Sequence, residues 1–115
     1  MTFNAKFRLR IYRGEGIAIG PGKVAVLEAI GATGSISAAA RALGMSYRRA
    51  WLLVDELNRA LRQPAVVAGA GGKRGGGAVL TPVGEELVQR YRSVEEISRR
   101  AAAAELEALA RLLAP

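Results

Sequence analysis

The sequence contains no cysteine, which excludes disulfides and thiolate zinc sites, and no histidine, which removes the commonest general base and metal ligand. No stretch approaches the ~18 consecutive apolar residues of a membrane span. The opening residues MTFNAKFRLRIYR interleave basic and apolar side chains and lack the apolar core of a signal peptide. These absences predict a cytoplasmic protein without a metal or cofactor, and one that is not an enzyme, since no convergent set of carboxylates stands in for the missing histidine.

What is present is an ordinary folding composition: 115 residues, 50% hydrophobic and 23% charged. That length suits one domain and its core. The net charge is +7, and its distribution says more than its size: residues 1–80 hold 12 basic and 4 acidic side chains, residues 81–115 hold 5 and 6. A basic body joined to a near-neutral tail predicts one part that meets a polyanion and another that meets protein.

Residues 5–13 alternate, with Phe7, Leu9 and Ile11 on one side and Lys6, Arg8 and Arg10 on the other, the period of a half-buried strand. Gly14-Glu15-Gly16 supplies a turn and Ile17-Ala18-Ile19 a return strand, so the spacing predicts a hairpin over residues 5–19. Gly20-Pro21 opens a first helix, which Gly34 ends. Ser35 caps a second, over residues 36–43, broken by Gly44. Ser46 caps a third, whose Ala50, Leu53, Val54, Leu57 and Leu61 make an apolar stripe.

Short β-type runs at 65–68 and 78–80 flank the loop GAGGKRGGG and predict a wing over residues 65–80. Thr81-Pro82 begins a long helical segment over residues 82–115 with an approximate heptad-like stripe of Leu87, Tyr91, Val94, Ala101, Leu109 and Leu112. A helix continuing to Ala114 is too long to bury that stripe on so small a body, so a second copy of the chain is the expected cover; the alternative is a helix lying on its own domain and frayed at its end. The fold class expected is mainly α with small β elements: a winged helix-turn-helix over residues 1–81, with an N-terminal β-hairpin and a long C-terminal dimerisation helix.

A short helix, a glycine turn and a second helix with a basic exposed face form a helix-turn-helix, here residues 35–61, whose second helix lies in the DNA major groove. With Ala50 at the buried centre of helix three, a step of 100° per residue sends Arg48, Leu52 and Asp55 to the far side, flanked by Arg49 and Trp51. Arg48 is the first candidate to read a base, because a guanidinium bonds a guanine edge bidentately. Trp51 and Tyr47 have two readings: contact with a thymine methyl or the sugar-phosphate wall, or packing against the wing or helix two. Ser35, Ser37 and Ser46 sit at helix starts, where hydroxyls either hold phosphates or act as caps. Lys73 and Arg74, carried among glycines, have two readings: contact with phosphates or the adjacent minor groove, or a solvated linker. A nucleotide-binding reading of that loop fails, since the position five before Gly72 is Val67 and Lys73 precedes Arg74 in place of a serine or threonine.

The run GSISAAARALGMSYRRAWLLVDELN, followed by GGKRGGGAVLTPVGEEL, closely resembles the N-terminal DNA-binding domain of the ModE family of molybdate-responsive transcriptional regulators, relatives of the LysR-type winged helix. The resemblance runs from about Pro21 to Tyr91. It implies a homodimer whose recognition helices enter successive major grooves of palindromic double-stranded DNA, with Ser46, Tyr47, Arg48 and Trp51 on that helix and Lys73 in the wing. Two departures stand out. The family places molybdate in a separate C-terminal domain, and nothing up to Pro115 resembles it, so no molybdate site is expected on these residues. The stretch VVAGAG before the wing lacks charged residues, which predicts weaker phosphate contacts there. The other function class weighed is a protein-interaction module that pairs through its C-terminal helix with a separate sensor protein.

Overall fold

Glycine and proline punctuation sets the helix boundaries of the body. In the computed structural model, which describes residues 2–69 and 77–115, α1 (Pro21–Thr33) starts on its proline and ends at Gly34, whose left-handed backbone (φ 82°) returns its N–H to the Ile30 carbonyl. Helix α2 (Ile36–Leu43) is capped by the Ser35 hydroxyl, which accepts from the Ala38 N–H, and ends at Gly44 (φ 67°). Helix α3 (Tyr47–Ala60) is capped in the same way by Ser46 from the Arg49 N–H. All of these lie where the sequence predicts them.

The strands form two separate antiparallel pairs. Strands β1 (Ile11–Arg13) and β2 (Gly16–Ile19) turn through Gly14 (φ 64°), with an irregularity between Ile11 and Tyr12. Strands β3 (Val66–Gly69) and β4 (Gly77–Leu80) pair from Val66↔Leu80 to Gly69↔Gly77. The Ala78 N–H donates to the Gly34 carbonyl, tying this pair to the end of α1.

The hairpin is shorter than expected. Residues 5–10 keep the predicted alternation, with Ala5, Phe7 and Leu9 half-buried and Lys6, Arg8 and Arg10 exposed, but belong to neither strand. They are extended because they pack on the C-terminal helix, and Ile11, expected inward, is exposed.

The core is built on Val26, Leu27 and Ile30 of α1, Ala39 of α2, Val54 and Leu57 of α3, and Ala65, Val66 and Ala78 around the wing. Three of the five residues of the predicted α3 stripe are buried, and Leu53 and Leu61 pack on the core edge.

The C-terminal segment departs from a single long helix. Helix α4 (Pro82–Ala101) is followed by a break at Ala102 (φ −96°, ψ 7°) and then α5 (Ala103–Ala110). The Ala102 N–H bonds to the Ser98 carbonyl and the Leu106 N–H to the Ala102 carbonyl, so Ala102 closes one helix and opens the next. Neither glycine nor proline marks the place. At its start, α4 is pinned to the wing: the Thr81 hydroxyl donates to the Pro64 carbonyl and caps the Gly84 N–H, and Gly84 sits where a Cβ would stand 2.3 Å from the Ala65 carbonyl oxygen.

Candidate nucleic-acid interface

The exposed face of α3 follows from its apolar one. With Ala50, Val54 and Leu57 buried, helical periodicity turns Tyr47, Arg48, Arg49, Trp51 and Leu52 outward, and all five are exposed. Arg48 and Arg49 have no carboxylate partner among the described residues, whereas Asp55 on the same face is paired with Arg59 at 3.1 Å, which offsets the one acidic charge there.

Tyr47 (54% exposed) and Trp51 (43%) stand one turn apart. They line a cleft of about 460 Å³ whose other walls are Ile36 and Ser37 of α2, Val66–Ala68 of β3 and Gly77-Ala78 of β4. Each ring lies between helix two and the wing, and each keeps about half its surface open. Ser37 is exposed at the rim, while the Ser35 and Ser46 oxygens are engaged as helix caps. Lys73 and Arg74 lie outside the described residues.

Sequence reasoning missed how the wing is held. The Asn58 amide on α3 accepts from the Ala65 N–H (2.8 Å) and the Val66 N–H (3.4 Å) and donates to the Val66 carbonyl (3.1 Å), so the recognition helix itself clamps the first wing strand. An asparagine three residues after Asp55, off the apolar stripe but ahead of Pro64, was the available signal. Lys23 was also missed: it is buried, donates to the Ile17 carbonyl and pairs with Glu56 at 3.4 Å.

The electrostatics divide along the chain. On α4 the four arginines are each held by a glutamate: Arg90 by Glu86, Arg92 by Glu28 and Glu95, Arg99 and Arg100 by Glu96. Arg92 holds the Glu28 and Glu96's arginines hold the Glu96 carboxyl below the ordinary carboxylate range, through direct hydrogen bonds. In the helix-turn-helix, Arg41, Arg48 and Arg49 carry no such partner among the described residues.

The expected dimer stripe needs correction. Tyr91 is 4% exposed and donates its hydroxyl to the Leu9 carbonyl, and Leu87 packs on the core, because the N-terminal segment covers this part of α4. Val94, Ala101, Leu109 and Leu112 are exposed, joined by Ile97 (63%), which the stripe did not include. Among the described residues no group of three or more acidic side chains could hold a metal, and no helix is long and apolar enough to cross a membrane.

Comparison with known proteins gives this surface a family. Residues 22–85 match the bacterial regulatory helix-turn-helix proteins of the LysR family, a span that contains α1, α2, α3 and the wing. The chain is 55% identical over 80 residues to the molybdenum-pterin-binding protein MopB of Rhodobacter capsulatus, covering 70% of this chain and 30% of that protein. It is 41% identical over 80 residues to the molybdenum transport protein ModE of Azotobacter vinelandii, with the same coverage. To the DNA-binding transcriptional dual regulator ModE of Escherichia coli K12 it is 40% identical over 81 residues, 70% of this chain and 31% of that protein. It thus spans about 30% of the length of these relatives. The chain belongs to the LysR family of bacterial regulatory helix-turn-helix proteins, and the matched part is a ModE-like DNA-binding domain.

Proposed function

We propose that the chain is a ModE-type transcriptional regulator linked to molybdenum metabolism, which binds palindromic double-stranded DNA as a homodimer in the cytoplasm and acts by binding, not by catalysis. The observation that carries this reading is the outward face at the capped start of α3, where Arg48 and Arg49 have no carboxylate partner among the described residues and stand beside the Tyr47–Trp51 cleft. Such a face fits a major groove, with guanidinium groups for base edges and phosphates. The molybdenum link comes from the names of the relatives.

In this reading residues 1–81 read DNA and residues 82–115 carry the dimer contact, through Val94, Ile97, Leu109 and Leu112. Two recognition helices related by a two-fold axis then meet half-sites about 34 Å apart. Pairing with a separate sensor protein is not favoured, because the similar proteins include regulators that bear the same domain.

The test is selection of genomic fragments by the purified protein at moderate salt, followed by sequencing, with light scattering on the same preparation. A palindromic motif near molybdenum-transport or molybdoenzyme genes and a dimer mass is the expected result. A palindromic motif elsewhere removes the molybdenum link, and binding without sequence preference that vanishes as salt rises removes the regulator.

A further inference from the structure

The N-terminal segment carries charges that the helix-turn-helix does not account for. Its inner side is fixed: Leu9 is bonded through its carbonyl to Tyr91, and Phe7 lies with Val94 and Ser98 around a small cavity on α4. Side chains alternate along extended backbone, and Lys6, Arg8 and Arg10, set between the anchored positions, are all exposed, with Arg8 also at the edge of the α4 cavity beside Glu95.

Arg8 and Arg10 line a cavity of about 530 Å³ together with Tyr12, Lys23, the acidic Glu15 of the turn and, on the recognition helix, Leu53 and Glu56; Glu15 lies within 4 Å of no cation among the described residues. Leu53 lies one turn along α3 from Arg49, so this cavity borders the flank of the reading helix. Glu56, at this cavity, is taken up by Lys23. Lys6, Arg8, Arg10 and Arg13 have no carboxylate partner among the described residues, in contrast to the four neutralised arginines of α4. Successive outward cations of extended backbone stand roughly 6.6 Å apart. A row of like charges of this kind suits a polyanion whose charges recur along its length, as the phosphates of a DNA strand do.

We propose that residues 6–13 form a second DNA contact, a basic edge whose Lys6, Arg8 and Arg10 hold backbone phosphates flanking the stretch that α3 reads. The proposal rests on the DNA-binding reading above. It concerns duplex phosphates and no base, so it adds affinity and site length without adding sequence preference.

The experiment compares the full chain with Arg8→Gln/Arg10→Gln on the selected site, once trimmed to its conserved bases and once with flanking duplex, over a series of salt concentrations. The variant is expected to lower the slope of log affinity against log salt by about 1.8 per bound protomer, from about 0.9 per phosphate contact. The loss is expected on the flanked duplex, with the trimmed duplex and the base preference unchanged. Lys6→Gln adds about 0.9 more. Arg99→Gln/Arg100→Gln removes the same charge from α4 and is expected to leave the slope where it was. Thermal melting checks that each variant folds.

An unchanged slope on the flanked duplex overturns the proposal, as does an equal drop in the α4 variant, which would mean a general charge effect. Loss of affinity confined to one base position also overturns it. A wild-type chain without sequence preference overturns the regulator reading instead; the edge is then judged on arbitrary duplex by the same difference in slope.

Discussion

The Tyr91 hydroxyl donates to the Leu9 carbonyl at 2.8 Å, a bond between residues 82 positions apart that fastens the N-terminal segment to α4. Burial pushes the Tyr91 phenol above its ordinary range, so it remains a neutral donor near pH 7. Tyr91→Phe leaves the ring in place and the carbonyl without its partner. A loss of about 0.5–1.5 kcal/mol is expected, measured by urea unfolding; an unchanged midpoint would show that water replaces the bond at no cost.

On α3, Arg48→Ala is expected to lower affinity for the selected site by about 1–3 kcal/mol and to relax one base position, whereas Lys73→Ala weakens binding to every sequence alike. Titrations on the selected and on random duplexes separate the two. Equal loss on both for Arg48→Ala contradicts its assignment to a base.

In the DNA-binding reading proposed above, the Tyr47–Trp51 cleft receives a thymine methyl. Replacing thymines of the site one at a time with deoxyuridine is expected to cost about 0.8 kcal/mol, about fourfold, at the contacted position. In Trp51→Ala that sensitivity disappears. If Trp51→Ala weakens binding but the uracil penalty persists, the indole supports the wing and does not touch the methyl.

The helix-turn-helix was legible because its signals are local. Ser35, Gly44, Ser46 and the period of Ala50, Val54 and Leu57 specify the helix ends and the exposed face without reference to distant residues. The tail was not legible for the opposite reason. Tyr91 belongs to an apolar stripe by spacing, but which surface covers it depends on the path of residues 5–10, and those lie on α4 through contacts 82 residues long. The break at Ala102 falls in the run Ala101–Ala104, where helix propensity is highest, so no sequence signal announces it. The clamp by Asn58 is likewise a tertiary event.

Gly84→Ala forces a methyl against the Ala65 carbonyl, and since the obstacle is backbone it cannot swing aside. Destabilisation of roughly 1–3 kcal/mol is expected by calorimetry. Gly22→Ala is the control: a Cβ there meets nothing within 4 Å, and in the first turn of α1 it is expected to be neutral or to stabilise by up to about 1 kcal/mol.

The Arg92 guanidinium grips both Glu28 oxygens and links α4 to α1. Because the Glu28 carboxyl is depressed in the folded chain, the unfolded chain takes up its proton first as pH falls. The contribution is therefore complete above the ordinary carboxylate range and is lost on acidification through and below it. Both side chains are partly exposed, so Glu28→Gln is expected to cost no more than about 1 kcal/mol at pH 7 and to flatten the acid limb of the stability curve. An identical acid limb in the variant would assign that limb to other carboxylates.

Asn58 gives the recognition helix and the first wing strand a common mount. Helix and wing therefore cannot be re-aimed independently when the binding sequence drifts over evolutionary time. A wider or narrower half-site is then met more readily by exchanging side chains at the tips of these two elements than by changing the angle between them.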